Sequence, residues 1–594
     1  MVYNKIAQFI YFCCIACLLT VRSLGQVIPA DGSILHYNQV LFEYPVVKDA
    51  ACYKLQVSVQ LPGNRQEQPY DREHVDSSIV TILENLSYGT NYSWRVFAYD
   101  KSGNQIDKSA DHSFSTIPSP WNADPILRTR IFKNDTVYHT EGLICIDYMK
   151  AAIDWKGNPV WFLTSANKEL QTASSIRDLR MTDDGHITFL TERNIYECDL
   201  DGNILWTGPN DGQVSGDTSE FYHHCFSKLS NGNYMVLGSK YVFVKIPDQT
   251  DTSGYAQNPD LKFMNGEIYR KVEFGTIIEY DSCGKVYWSW DSQNYLHEKD
   301  LFYRRKLSDI PNVNAHLNSF DIDEKSGIVY AGFRNLNRVV IIDKKTGNVL
   351  NSIGARMPSG EARSGDGFFM MQHDSKLLAN GNLAVFNNDV ADEGVVSSIV
   401  SFTQPQTFYE ASHIVWKLNC NFDTLTNGKS PKFGNIESLP NGHYLVCTGS
   451  LSRLIEVDDE KNLYWDCFTE VSYDRKVWQP FPTYRANFTS SLYPCYFSLV
   501  NVLASDTIQI SNGRESTLRF KIVNEGSNAD TYSIKVNDHT GQSVKEEEPI
   551  HLDAGKSAEV MIKINKREVN KRIIVNAHST TGRKLSRQLT YIIN

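Results

Sequence analysis

The chain has no basic block. Its net charge of −10 is spread along all 594 residues, which excludes nucleic acid as a partner, because phosphate binding needs a face of lysine and arginine. It has no paired CxxC spacing either. Three of its 12 cysteines (Cys13, Cys14, Cys17) fall in an N-terminal apolar run, and the other nine stand singly. That speaks against a zinc site and against a dense disulfide framework. One or two bridges stay open, and the odd count leaves at least one thiol unpaired. Beyond the N-terminus no apolar run is long enough to cross a bilayer, and helical periodicity is nearly absent. What is abundant is aromatic: Tyr 31, Phe 28 and Trp 10 suit strands more than helices.

The N-terminus reads as a targeting segment. Lys5 precedes "IAQFIYFCCIACLLTV", and "SLG" ending at Gly25 offers small residues for cleavage before Gln26. The run is shorter than the roughly 20 residues a spanning helix needs, so a cleaved signal peptide over residues 1–25 is expected rather than an anchor. The mature protein is then secreted or periplasmic. "ENLS", "TNYS", "KNDT" and "ANFT" match the glycosylation acceptor pattern of a eukaryotic host.

Two short patterns alternate through the middle of the chain. The first is a hairpin about Asp-Gly or Asn-Gly: "RDLRMTDDGHITFL", "HHCFSKLSNGNYMVLG", "QHDSKLLANGNLAVF" and "GNIESLPNGHYLVCTG", with a longer-turned copy in "HLNSFDIDEKSGIVYAGF". Such dipeptides supply the positive φ of tight turns. The second pattern, "IDWKGNPVWFL", "IYECDLDGNILWTG", "IIEYDSCGKVYWSW", "VVIIDKKTGNVLNSIG" and "LIEVDDEKNLYWDC", is again two strands about a polar turn, ending near a Trp or its apolar equivalent. A degenerate copy lies in "IVSFTQPQTFYEASHIVWKL". Two hairpins make a four-stranded unit, and units of ~40 to 60 residues with four strands mark β-propeller blades. An all-β fold with a six-bladed propeller over residues 125–495 is expected.

The flanks differ. Residues 27–117 carry "VLFEYPVV", "CYKLQVSVQL" and "NYSWRVFAYD", the short alternating strands of a fibronectin- or immunoglobulin-like sandwich. Residues 500–594 repeat that look. Both are read as scaffolding or attachment, and nothing in the C-terminal sandwich names a partner.

The repeat brings histidines into one register. His373 precedes its turn residue Asn380 by seven positions, His224 precedes Asn231 by seven, and His316 precedes Asp323 by seven. Arg177 and Gly434 hold that place in other units. The first strand of each blade lines the central channel, so the three imidazoles should meet there. Asn318, two beyond His316, faces the same side of its strand. Arg334 ends the partner strand and returns toward the same rim; an arginine in a funnel implies an anionic ligand, which its planar fork binds bidentately.

At these residues the chain resembles the bacterial arylsulfate sulfotransferases. The likeness rests on "AHLNSFDID…GFRNLNRVVIID", "FMMQHDSKLLANGNLAVFNND" and "HHCFSKLSNGNYMVLG", blocks that run in order through most of residues 125–470. It implies a six-bladed propeller that moves a sulfuryl group from an aryl sulfate donor to a phenolic acceptor, by a ping-pong route through a sulfated histidine and with no cofactor. Carried over by motif, His373 would be the nucleophile and His316 the acid/base partner. Arg334 and His224 would bind the sulfuryl oxygens, with Asn318 in support. The chain departs from the pattern at Cys225, where relatives carry Asp, in lacking a cysteine pair near His373, and in its C-terminal sandwich. Members of the family are able to form homodimers, although no self-association surface is readable here.

The chemistry is consistent with the residues. Sulfuryl transfer, like phosphoryl transfer, rests on positioning and electrostatics, and neutral imidazole is a competent nucleophile near pH 7. Asp374, next along the strand, should point away from the His373 ring, so a backbone carbonyl is expected to orient it. Two rivals stand beside this reading. One is a non-catalytic extracellular binding propeller. The other is a metal-dependent hydrolase using the histidine ring as zinc ligands, which Arg334 would oppose.

Overall fold

In the computed structural model both repeated turns close hairpins. The structure describes residues 27–594 apart from 62–64, 75–78, 139, 165–169, 171–174, 247–259, 303–314, 357–358, 360–363, 391–393, 406–409, 423–425, 503–506, 509–514, 566–571, 582–584 and 594. The expected leader, residues 1–25, lies outside the described residues. The chain is nearly all β and divides into two compact units. One holds the described residues up to Pro118, the turn Asp183–Gly185 and Ser490–Asn594; the other holds Ser119–Thr182 and His186–Thr489.

Six successive antiparallel sheets make up the second unit among the described residues. Their first strands are Ala486–Thr489, Arg177–Met181, Phe226–Lys228, Leu317–Asp323, His373–Leu377 and Asn435–Ser438. The first sheet joins the two ends of the unit, because Ala486–Thr489 pairs with Leu143–Ile146. A second closure lies at the sixth sheet, where Ile126–Asn134 pairs with Leu463–Ser472.

The sequence pattern explains these sheets. In the D-x-x-G-x turns a carboxylate accepts from the backbone two and four residues on, as Asp154 does from Lys156 and Asn158, and Asp281 from Cys283 and Lys285. This is the local bonding that makes Asp a turn residue. The recurrent Trp reaches the following sheet. Trp161 Nε1 donates to the Leu200 carbonyl at 2.8 Å, Trp290 to Gly347 at 3.1 Å, and Trp465 of the sixth sheet to Trp155 of the first at 2.7 Å. Trp206 instead stacks on Tyr234, with ring centroids 3.8 Å apart.

The first strands are bonded to one another in a closed circuit. Asn487 donates to Leu179 O, Asp178 accepts from Phe226 N, Cys225 Sγ lies 3.5 Å from Phe320 O, and Asn318 donates to Gln372 O. Asp374 then accepts from Ile436 N, and Asn435 both donates to and accepts from Ala486. Each of these buried side chains makes at least one bond across the circuit, which offsets the cost of burying it. Asn487 is the acceptor residue of "ANFT", and its buried amide is committed to this circuit.

The first unit gathers both flanks. Its N-terminal part is a six-stranded sheet with a two-stranded one, around Phe42, Tyr92, Trp94 and Phe114. Its C-terminal part has sheets of three and five strands around Phe520, Tyr532 and Ile562. The two parts touch: Val500 joins the N-terminal core, Tyr493 Oη accepts from Leu41 N, and Arg587 pairs with Glu43 at 3.2 Å. All nine described cysteines are free thiols.

Candidate active site

The candidate histidines enter at the start of first strands, where the backbone makes a left-handed step. Asp178, His224, His316, Asp374 and Phe433 have φ of 50°, 62°, 50°, 56° and 70°, in the second to sixth sheets. Non-glycine residues are uncommon there, and Asp and His are among the better tolerated. Such steps cost on the order of 1–3 kcal/mol and collect at functional sites. The seven-residue register is therefore approximate. His224 and His316 take the left-handed step themselves, whereas in the fifth sheet Asp374 takes it, after His373. The pairing register shifts between His373 and Ser375 to absorb the extra residue.

The structure brings the predicted histidines together. The rings of His224 and His316 lie edge to face with centroids 4.9 Å apart, and His224 and His373 are 6.3 Å apart. Arg334 follows the strand Ile328–Phe333, and its N–H donates to the His316 carbonyl at 3.0 Å. Its guanidinium is half-buried, with one described side-chain bond, to Asn335 Oδ1 at 3.0 Å. Burial lowers its pKa, and no described carboxylate opposes this. Asn318 is fully buried, and its amide holds the carbonyl of Gln372, the residue before His373.

Sequence reasoning placed Asp374 and a backbone carbonyl as the choices for orienting His373. The partner is instead Asn388, whose Oδ1 lies 2.8 Å from His373 Nδ1. Asp374 faces away, accepting from Ile436 N and lying 3.6 Å from Arg485. The Asn388 amide donates to the carbonyls of Ser430 and Phe433 at 2.8 and 2.9 Å. Both of its N–H groups are committed, so Oδ1 must accept, and Nδ1 of His373 must carry the proton. In the neutral ring the lone pair is then on Nε2, the nucleophilic position.

Other residues complete the site. Tyr484 lies 5.8 Å from the His224 ring and 6.3 Å from that of His373, and its buried hydroxyl has no described partner. Phe433 packs 5.3 Å from Tyr484 and 6.5 Å from His373, and Tyr148 lies 5.7 Å from Phe433. Arg177 sits over the Tyr484 ring at 5.9 Å. Arg485 is buried between Asp178 and Asp374, at 3.4 and 3.6 Å. Among the described residues the nitrogens of His224, His316 and His373 do not form a group lying mutually within 4.8 Å, a wider arrangement than one zinc ion collects.

All four imidazoles of the site are held neutral. Burial pushes His373 down to about 3, with Arg334 adding to the effect against the Asn388 bond. Burial takes His223 and His316 to about 4 and His224 well below the usual range. The consequence for stability has a definite sign. Unfolded imidazoles titrate near ~6.5, so below that pH the unfolded chain binds more protons, and stability rises with pH across the window from about 3. Urea midpoints should therefore fall as pH is lowered from 7 to 4, and fall less steeply in His373→Asn, since His373 is the most buried of the four rings. A midpoint independent of pH over that range would contradict the neutral cluster.

Residues 130–399 match the family model described as Arylsulfotransferase (ASST). No curated protein matches the chain. Among solved structures, Kluyveromyces lactis Hsv2 aligns at 10% identity over 66% of this chain and 92% of its own, with a TM-score of 0.23. Kuenenia stuttgartiensis hydrazine synthase aligns at 15% identity over 42% and 59%, with a TM-score of 0.20. A mutant Listeria innocua β-glucosidase aligns at 12% identity over 20% of this chain, which spans 18% of that enzyme, with a TM-score of 0.14. The matched residues 130–399 contain His224, His316, Arg334 and His373, and over them the chain is similar to the arylsulfotransferase family.

Proposed function

We propose that the six sheets are blades of a six-bladed β-propeller flanked by two immunoglobulin-like sandwiches, and that the exported protein moves a sulfuryl group from an aryl sulfate to a phenol through sulfo-His373. The observation that carries this reading is the pinned tautomer of His373. Its Nε2 lone pair stands in the same cluster as a half-buried guanidinium with no described carboxylate partner.

In the donor step Nε2 of His373 attacks sulfur in line, the sulfur–aryl oxygen bond breaks, and a phenolate leaves. Asn388 stabilises the positive ring that forms, because Nδ1–H already points at its oxygen. Arg334 takes the sulfuryl oxygens, and Nε2 of His224 faces the bridging aryl oxygen. His316 is neutral in the empty site, and the negative charge of a bound aryl sulfate raises its pKa. On return, an acceptor phenol gives up its proton and attacks the sulfo group, and His373 is restored. Phe433, Tyr484 and Tyr148 offer an aromatic wall for the aryl ring.

The test is mass spectrometry after mixing with 4-nitrophenyl sulfate alone, without nucleotide. The peptide containing His373 should gain one sulfuryl group, and addition of a phenol should remove it with ping-pong kinetics. An unmodified peptide alongside intact turnover would overturn the covalent step.

A further inference from the structure

The proton in this reaction needs somewhere to go. A sulfo-enzyme formed from an aryl sulfate and a neutral imidazole consumes one proton when the phenol leaves, and regains it from the acceptor. Behind His224 runs a line of polar groups that the transfer chemistry leaves unused. His224 Nδ1 lies 2.8 Å from Nδ1 of His223, and His223 Nε2 lies 2.8 Å from Ser239 Oγ. Ser239 Oγ donates to Glu273 Oε1 at 2.7 Å. Ser239 and Glu273 sit on the paired strands Tyr234–Lys245 and Glu267–Tyr280. Glu273 is half-buried, so the line leads from the buried rings toward the surface.

We propose that His224, His223, Ser239 and Glu273 form a proton-conducting line between the sulfuryl-transfer site and solvent. The proposal rests on the transfer reading above and names the route its proton takes. With Glu273 ionised, Ser239 gives its hydrogen to the carboxylate and accepts from His223 Nε2–H. His223 Nδ1 then accepts from His224 Nδ1–H, and the lone pair of His224 is on Nε2, facing the reaction. In the acceptor step that Nε2 takes the phenol's proton. His224 Nδ1 passes its own proton to His223 Nδ1, His223 Nε2 passes one to Ser239 Oγ, and Ser239 passes one to Glu273. Each ring ends neutral in its other tautomer, and Glu273 relays the proton toward solvent. In the donor step every transfer reverses: His224 Nε2–H protonates the leaving phenolate, and the line draws a proton inward through Glu273 and Ser239.

The charged groups around the line fit this direction of flow. Arg177 bears on His223 and His224, Arg334 on His316, and the His316 and His373 rings on His224, all disfavouring an extra positive charge within it. Glu273 is the negative group that opposes burial of His316. A proton therefore moves by tautomer exchange and does not stay on a ring. His223, Ser239 and Glu273 are positioning residues, because only His224 reaches the reacting atoms.

The experiment compares two donors that differ in their need for a proton. 4-Nitrophenolate is a weak base and leaves unaided, whereas phenolate needs protonation. Ser239→Ala should slow transfer from phenyl sulfate about 10²-fold more than transfer from 4-nitrophenyl sulfate, the size of a general-acid contribution. Glu273→Gln should do the same, and Ser239→Thr, which keeps the hydroxyl, should restore the wild-type ratio. An unchanged donor ratio in Ser239→Ala and Glu273→Gln, with sulfo-His373 still formed, would overturn the line alone. Absence of sulfo-His373 from the wild-type protein would overturn the transfer reading and the line with it.

Discussion

His373→Asn should lower turnover by about 10⁴-fold or more, the scale seen when a covalent nucleophile is removed and binding alone remains. The variant should still fold. The substituted amide can present an N–H near the former Nδ1, so the Asn388 oxygen need not be stranded, and loss of one buried hydrogen bond typically costs about 1–3 kcal/mol. Circular dichroism should show a native spectrum with melting lowered by a few degrees. The discriminating measurement is the sulfated-peptide assay on this variant. No other residue should gain the sulfuryl group, because the tautomer of His373 is pinned by an amide whose own donors are both engaged. A sulfated His316 or His224 at undiminished turnover would move the nucleophile. Loss of the native spectrum would make His373 a structural residue of the fifth sheet.

How far the sequence carried this picture depends on how local each signal was. Asx turns, Asn-Gly hairpins and the recurrent Trp are encoded within a dozen residues, so the repeated sheets could be read directly. The meeting of His224, His316 and His373 was legible only because the repeat supplied a common register. That register blurs where bulges enter, and it gave no warning that Asp374 rather than His373 takes the left-handed step. Asn388 stands in plain view in "VFNND", yet its role depends on carbonyls more than 40 residues away in Ser430 and Phe433. Tyr484 and Arg485 lie outside both patterns and enter the site through the strand that closes the first sheet. His223 was hidden by the strand rule that neighbours face opposite sides; the positive φ of His224 breaks that alternation and turns the two rings toward each other. The gathering of both flanks into one unit depends on long-range contacts such as Val500 in the N-terminal core, for which no local motif exists.

Arg334→Met should cost about 10²–10³ in the donor step, the usual loss when one preorganised donor is removed from a developing oxyanion. The reasoning begins with what the arginine lacks. A guanidinium half out of water ordinarily sits against a carboxylate, and this one has a neutral amide, Asn335, as its described side-chain partner. It is held as though awaiting an anion. A sulfuryl group offers two oxygens at the spacing of its fork, so Arg334→Lys, which restores charge without the fork, should recover only part of the loss. A second consequence follows from the field of the guanidinium. Its charge helps hold His316 and His373 below their ordinary range, so Arg334→Met should raise both. The acid limb of the donor-step profile should then move to higher pH, because protonation of the nucleophile sets in earlier. Arg334→Lys keeps that charge and should leave the limb where it is. An Arg334→Met enzyme with an unchanged donor rate would mean that the sulfuryl oxygens are held elsewhere. A rate loss without the shift of the acid limb would mean that the guanidinium bears on the donor and not on His373.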